Sequence, residues 1–377
     1  MGGVRLLGLA TFAYFLTLGL GIPTVPRYLT GPLEGTSFEV GLAVAIFSVT
    51  AILARPLVPA AASRFAPSAL LTIGSAVVGL SSGLMILAHS FVAVLLLRAL
   101  AGLGDALFYV LASAAVYALT PDDAHASAQS RFTAVVSAGI LLGPIAAETL
   151  RPYTGYTGIW LLGAALCAGA SVSVIRLPLP RAPAPDKGQA VLERAAVLPG
   201  VVIAAQTWAL SAFTVFLALY ANRLGLPNAD APFIIVAAIV LTLRSIGAAV
   251  FERFQPRTLA AVAMVAATAG LTLLALLPDR RALLAGSALV AISQALAFPA
   301  LLHLAVQRAG GAHLTSAVAT FTGFFEAGLA SSAIALGAAL DKFGFGGLYG
   351  IAAVVSAAAL APLLLTPVHE EVNSSDG

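Results

Sequence analysis

The sequence predicts an all-α membrane protein with twelve transmembrane helices in two pseudo-symmetric six-helix bundles. Three observations lead there. Of the 377 residues, 60% are hydrophobic and only 9% charged, against about a quarter charged in soluble domains. Apolar runs of roughly 20 residues, long enough to cross a bilayer as a helix, recur about twelve times. A pattern of residues in the first half also returns in the second at a fixed offset.

The runs fall near 5–27, 39–62, 68–88, 91–119, 131–150, 157–176, 197–221, 231–251, 257–277, 282–306, 314–340 and 344–366, each bounded by Pro, Gly or charges. The first follows Arg5, is too long for a signal-peptide core and precedes many others, so it is read as a retained helix. One connection is long and polar: Arg176 to Arg194 carries repeated prolines with Arg181, Asp186 and Lys187, and cannot continue a helix. It divides the chain into an N-terminal bundle over 1–176, a cytoplasmic linker over 177–196 and a C-terminal bundle over 197–377 with a short cytoplasmic tail. If helices alternate, the end bearing Arg5, Arg64, Arg131, Arg176, Arg181, Lys187, Arg194, Arg253, Arg257 and Arg308 holds more basic residues than the other. The positive-inside rule places that end and both termini in the cytoplasm. Alanine and arginine in place of lysine point to a GC-rich bacterial genome, hence an inner (plasma) membrane.

The formal charge of +3 includes no basic block that would attract nucleic acid. A lone cysteine, Cys167, and five scattered histidines offer neither a disulfide framework nor a metal site. No Walker loop, dinucleotide fingerprint or Gly-x-Ser-x-Gly elbow is present, so no cofactor is expected. The partners left are lipid, a small-molecule solute and protons, and the working unit is taken as a monomer.

The repeat is specific. Arg55, Arg64-Phe65 and Pro67 reappear as Arg244, Arg253-Phe254 and Pro256, an offset of 189 residues. The same offset lays Phe132-Thr133 and Ala138-Gly139 on Phe321-Thr322 and Ala327-Gly328, Asp105 on Gln294, and Ser137 on Glu326. Each half thus keeps one mid-span acid, on non-equivalent helices. Duplicated bundles with sites at the midplane between repeats are a transporter plan.

Asp105 falls near the middle of the run 91–119. A carboxylate at that depth costs several kcal/mol and survives where it faces a water-filled cavity, pairs or exchanges protons. Glu326 lies midway along its run, on one stripe with Thr315 and Thr322; such a stripe faces a cavity or packs by hydrogen bonds. Thr11, Tyr14, Phe15, Tyr109, Gln206, Phe213, Gln294, Phe298 and Thr322 are candidate solute contacts, with ordinary helix packing as the alternative. Aromatic and amide groups with few charges suit an amphipathic organic molecule better than a phosphate. Arg55 and Arg244, at equivalent spots on helices 2 and 8, are expected to snorkel or hold gates. Glu148, beside Arg151, reads as a snorkelling surface acid.

Arg98-x3-Gly102-x-Gly104, Gly139-x3-Gly143-Pro144 and the Ser63-Arg64 turn between the second and third runs stand in the order of three motifs of the major facilitator superfamily. The chain resembles that superfamily along essentially its whole length, and its drug/metabolite:proton antiporter branch in particular. Ser63 departs from the acid usual before Arg64, and Ala147-Glu148 replaces a closing glycine pair. The resemblance implies a non-enzymatic carrier with alternating access. It also implies a part in coupling for Arg98, which otherwise binds backbone carbonyls, and gating parts for Arg64, Gly143, Pro144, Glu252 and Arg253. The leading expectation is proton-coupled efflux of an amphipathic organic solute or drug through Asp105 and Glu326. The alternatives are proton-coupled uptake of a sugar or organic acid and, less favoured, a membrane-embedded enzyme.

Overall fold

The computed structural model describes residues 2–121, 124–180, 193–245, 253–309 and 314–365; Glu252 and most of the expected linker lie outside them. The described residues form helices and turns without a strand. In order they are α1 (Gly2–Thr30), α2 (Ser37–Ala54), a 3-10 turn (Arg55–Leu57), α3 (Val58–Arg64), α4 (Pro67–Leu84), a second 3-10 turn (Met85–Leu87), α5 (Phe91–Ala118), α6 (His125–Val174), α7 (Arg194–Thr214), α8 (Leu217–Arg223), α9 (Asp230–Ser245), α10 (Pro256–Leu276), α11 (Arg280–Ala309), α12 (Leu314–Ala358) and α13 (Leu360–Leu365). Nine stretches among the described residues are long and apolar enough to cross a membrane.

Local chemistry sets the ends. Thr36 and Glu39 form a reciprocal capping box at the start of α2, the Ser90 side chain caps α5, and Pro67 and Pro256 open α4 and α10, where a missing N–H costs nothing. Two of the nine stretches are twice the usual length because each folds back on itself. α6 turns at Gly155 (φ 64°, ψ −171°) and α12 at Gly344 (φ 66°, ψ −172°). Side-chain-bearing residues avoid this left-handed conformation. The two glycines are themselves 189 residues apart, so the duplication extends to the backbone dihedrals of the hairpins. The apolar runs 131–150 and 157–176 are thus the arms of α6, and 314–340 and 344–366 those of α12 and its continuation.

The cores divide in an informative way. Calling the end where α1 begins the near end and the opposite one the far end, one apolar core draws on Leu7, Tyr14, Phe108 and Cys167 in the first half of the chain alone. A second draws on Ile203, Met264, Leu301 and Phe321 in the second half alone. The third mixes both halves, joining Tyr28, Leu29, Val40 and Trp160 to Phe213, Phe216, Phe233, Leu336 and Tyr349. The mixed core gathers at the far end, where α2 packs on α12 and α6 on α9. Burial of apolar surface therefore joins the halves there, while towards the near end each half closes on its own core.

Candidate functional site

Between those levels three charges meet. Pro56 and Pro59 lack backbone N–H groups, so the helix tightens into the 3-10 turn and resumes as α3. Arg55 sits at that turn. On α5, Gly102 and Gly104 allow close approach of neighbouring helices: a side chain at Gly102 would run into the Phe47 carbonyl and Thr50 hydroxyl of α2, and one at Gly104 into Gly74 of α4. Asp105 is thereby brought against α2, 6% exposed.

The Arg55 guanidinium donates to Glu326 Oε1 at 2.8 Å and lies 3.8 Å from Asp105 Oδ2. One cation thus joins an acid of its own half to an acid of the other. The Tyr14 hydroxyl donates to Asp105 Oδ1 at 3.1 Å, and its ring stacks on Phe108 with centroids 3.9 Å apart. Tyr109 lies under the Arg55 guanidinium at 5.7 Å and meets Phe15 edge to face. Sequence reasoning found both acids but assigned Arg55 to gating and did not pair it with them.

The other expected residues distribute more widely. Arg98 donates to the Ala43 carbonyl at 3.2 Å and stacks over Phe47 at 4.5 Å, so it binds α2 and makes no direct ion pair with Asp105. Thr11 is fully buried and its hydroxyl has no partner. Gln206 donates to Ser293, leaving its Oε1 without a partner, as is Gln294 Nε2. Phe298 packs edge to face on Phe321 and Phe325, and the Thr322 hydroxyl turns back to the Val318 carbonyl. Phe213 lies inside the mixed far-end core, apart from the charges. Gly143 is pressed on Gly19 of α1 with Pro144 buried beside it, while Arg64 and Arg253 are exposed at the near end. An apolar groove of about 430 Å³ between α1 and the 156–174 arm, lined by Leu9, Phe12, Leu162 and Leu166, holds none of these groups.

Arg244 does meet the other half: it donates to Ser137 on α6. Further out, the far end is held by acids on backbone donors. Asp341 of α12 accepts from Ser37 N at 2.9 Å and Phe38 N at 2.8 Å, at the start of α2. Glu148 of α6 accepts from Ala229 N at 2.8 Å, just before α9, and pairs with Arg27 through two bonds of 2.8 and 3.0 Å. Glu148 is 1% exposed, which corrects its reading as a surface acid: its partner is Arg27, 121 residues away, and Arg151 instead donates to the Pro227 carbonyl. Only the matching of N-terminal helix starts with acids on the opposite half could have pointed to Asp341 and Glu148.

Membrane-length helices packed round a cluster of two acids and an arginine have the make-up of a membrane solute carrier. A sequence model of the Major Facilitator Superfamily matches residues 7–281, and the chain belongs to that superfamily of transporters. It is 26% identical over 368 residues to an uncharacterized MFS-type transporter of Burkholderia pseudomallei (strain 1106a), covering 93% of this chain and 88% of that one. It is also 26% identical over 133 residues to the quinolone resistance protein NorA of Staphylococcus aureus, about a third of each chain (35% and 34%). Among solved structures, the nucleoside transporter NupG in a variant form superposes with a TM-score of 0.83 at 13% identity, covering 97% of this chain and all of that one. A bacterial homologue of the lysosomal transporter Spinster, inward-facing and unoccupied, gives 0.77 at 15% identity over 96% and 94% of the two chains. These likenesses establish a shared fold. The chain is a multi-pass membrane transporter.

Proposed function

We propose that this transporter couples protons to the export of an amphipathic organic solute, with twelve spans split six and six by the 177–196 linker and both termini in the cytoplasm of a bacterial inner membrane. The observation that carries the reading is Arg55 held between Asp105 and Glu326 at the seam. When Glu326 takes a proton it ceases to be the anion that ties Arg55 to the second half. Arg55 then remains with Asp105 in its own half, and the halves are free to part. The pair is partly buried, with 24% and 16% of the two side chains exposed, so breaking it is worth less than the about 3–5 kcal/mol of a fully buried pair, a substantial share of the roughly 5.5 kcal/mol that moves a two-state equilibrium from 1:99 to 99:1. The near end, where each half keeps its own core, is the opening through which the site meets the cytoplasm in this state.

Export is supported by the Gly143-Pro144 signature and by the partial likeness to a quinolone resistance protein. Arg98, bonded to α2 and near Asp105 on the same helix, supports the charge balance of the cluster without touching it. The test is pH-gradient-driven flux in proteoliposomes: Asp105→Asn and Glu326→Gln should each abolish gradient-dependent transport, and unchanged flux in both removes these acids from coupling. Cells carrying the gene should accumulate less of a labelled solute; greater accumulation assigns uptake.

A further inference from the structure

We infer that Arg244, set against Ser137 at the seam, is a solute-binding cation, and that the transported molecule carries a carboxylate on an apolar body. The inference deepens the transporter reading by naming a chemical class, and it rests on this seam being the solute path, independently of proton coupling.

The argument comes from comparing the two copies of one arrangement. The 189-residue offset relates Arg55 to Arg244 and Glu326 to Ser137. Both resulting pairs are formed, each across the seam: Arg55 with Glu326 and Arg244 with Ser137. In the first copy the guanidinium has a carboxylate. In the second a short hydroxyl stands where that carboxylate would be, and among the described residues no acid lies within ion-pair distance of Arg244. The Ser137 side chain is buried, and its own proton goes to the Thr133 carbonyl at 2.8 Å, so its lone pair serves the arginine. A guanidinium has five N–H donors in a fork that fits a carboxylate with two parallel bonds, and the hydroxyl uses little of that capacity.

An unneutralised arginine inside a membrane protein is costly unless it faces water or binds an anion. Arg244 is exposed, as is Thr133 one turn nearer the near end on the same α6 face, on the side where the two half-specific cores are separate. The missing carboxyl group of the repeat thus marks a place that an outside carboxylate can reach. One arginine matches a monoanion; a phosphate or dianion calls for several cations. Tyr109, beside the Arg55 guanidinium, and the half-buried Phe298 and Phe325 of the second half suit the apolar remainder of such a solute.

The test uses the purified full-length protein with benzoate as probe, benzamide as its uncharged counterpart, and sodium chloride at equal ionic strength as control. Benzoate should raise Tm by several degrees, since a ligand bound by the folded state alone stabilises it by mass action, while benzamide and chloride should not. Arg244→Gln should abolish the benzoate shift. Ser137→Glu should abolish it too, because the new side chain supplies the carboxylate internally, and should itself raise Tm in the absence of ligand. An equal response to benzamide, a benzoate shift that persists in Ser137→Glu, or no shift in the wild type at tens of millimolar benzoate would each overturn the proposal. Loss of coupling in Asp105→Asn leaves the benzoate response intact, so failure of the proton reading and failure of this one are told apart.

Discussion

Arg55 grips Glu326 across the seam at 2.8 Å, and 189 residues further along Arg244 repeats the reach towards Ser137 with the halves exchanged. Of these two repeat-related contacts, only the first is an ion pair. Replacing Arg55 with Met should remove the cation from between two acids and leave them facing each other. The expected outcome is loss of gradient-driven flux together with a stability loss of up to about 3–5 kcal/mol, read by thermal unfolding. Partial recovery of stability in the double variant Arg55→Met/Glu326→Gln would identify the mutual repulsion as the cause.

Tyr14→Phe isolates a single hydroxyl. The ring should keep its stack on Phe108, while Asp105 loses its 3.1 Å donor. The loss for a hydrogen bond to a charged group is about 1.5–3 kcal/mol, and it falls on one state of the carboxyl. Transport at saturating gradient should therefore drop roughly tenfold with the fold intact, whereas Tyr14→Phe transporting at the wild-type rate would assign that hydroxyl to packing.

At the far end, Asp341→Ala removes both acceptors from the start of α2. Losing a helix cap costs about 1 kcal/mol, a roughly fivefold change in the balance between closed and open far ends. A cysteine at Val40, fully buried in this state, placed in a Cys167→Ser background should be alkylated about five times faster in the Asp341→Ala variant. Glu148→Gln should act in the same direction and more strongly, because it also leaves the buried Arg27 without its counter-charge.

The hairpin glycines allow a plain backbone test. At Gly155 and Gly344 an added Cβ would meet nothing within 4 Å, so Gly→Ala at either position measures only the backbone strain of positive φ with extended ψ, about 1–3 kcal/mol. Each variant should lower Tm by a few degrees, by similar amounts, with transport retained.

Much of this was legible in residues 1–377 because membrane helices declare themselves by length and hydropathy, and because a duplicated chain carries its own comparison. Asp105 and Glu326 stood out as acids where acids are costly. The partnership of Arg55 with them did not, since a contact between residues 271 apart leaves no mark on periodicity; the repeat had aligned Arg55 with Arg244 and Ser137 with Glu326 as two separate matches, and only the fold crosses them. Glu148 was misread because Arg151 lies one turn along in sequence, while the acid turns inward to Arg27 and Ala229. Phe213, one of several aromatic candidates, was indistinguishable by residue type from those nearer the charges.

The apolar core shared at the far end and divided at the near end constrains what any opposite-facing state can look like. Tyr28, Val40, Phe213 and Leu336 would have to come apart, exposing greasy surface to water, unless side chains such as Leu57 and Phe65, now bare at 68% and 60%, found cover of comparable size. In a carrier whose halves alternate, a mutation that shrinks this far-end contact should therefore favour the opposite orientation without touching a single charge.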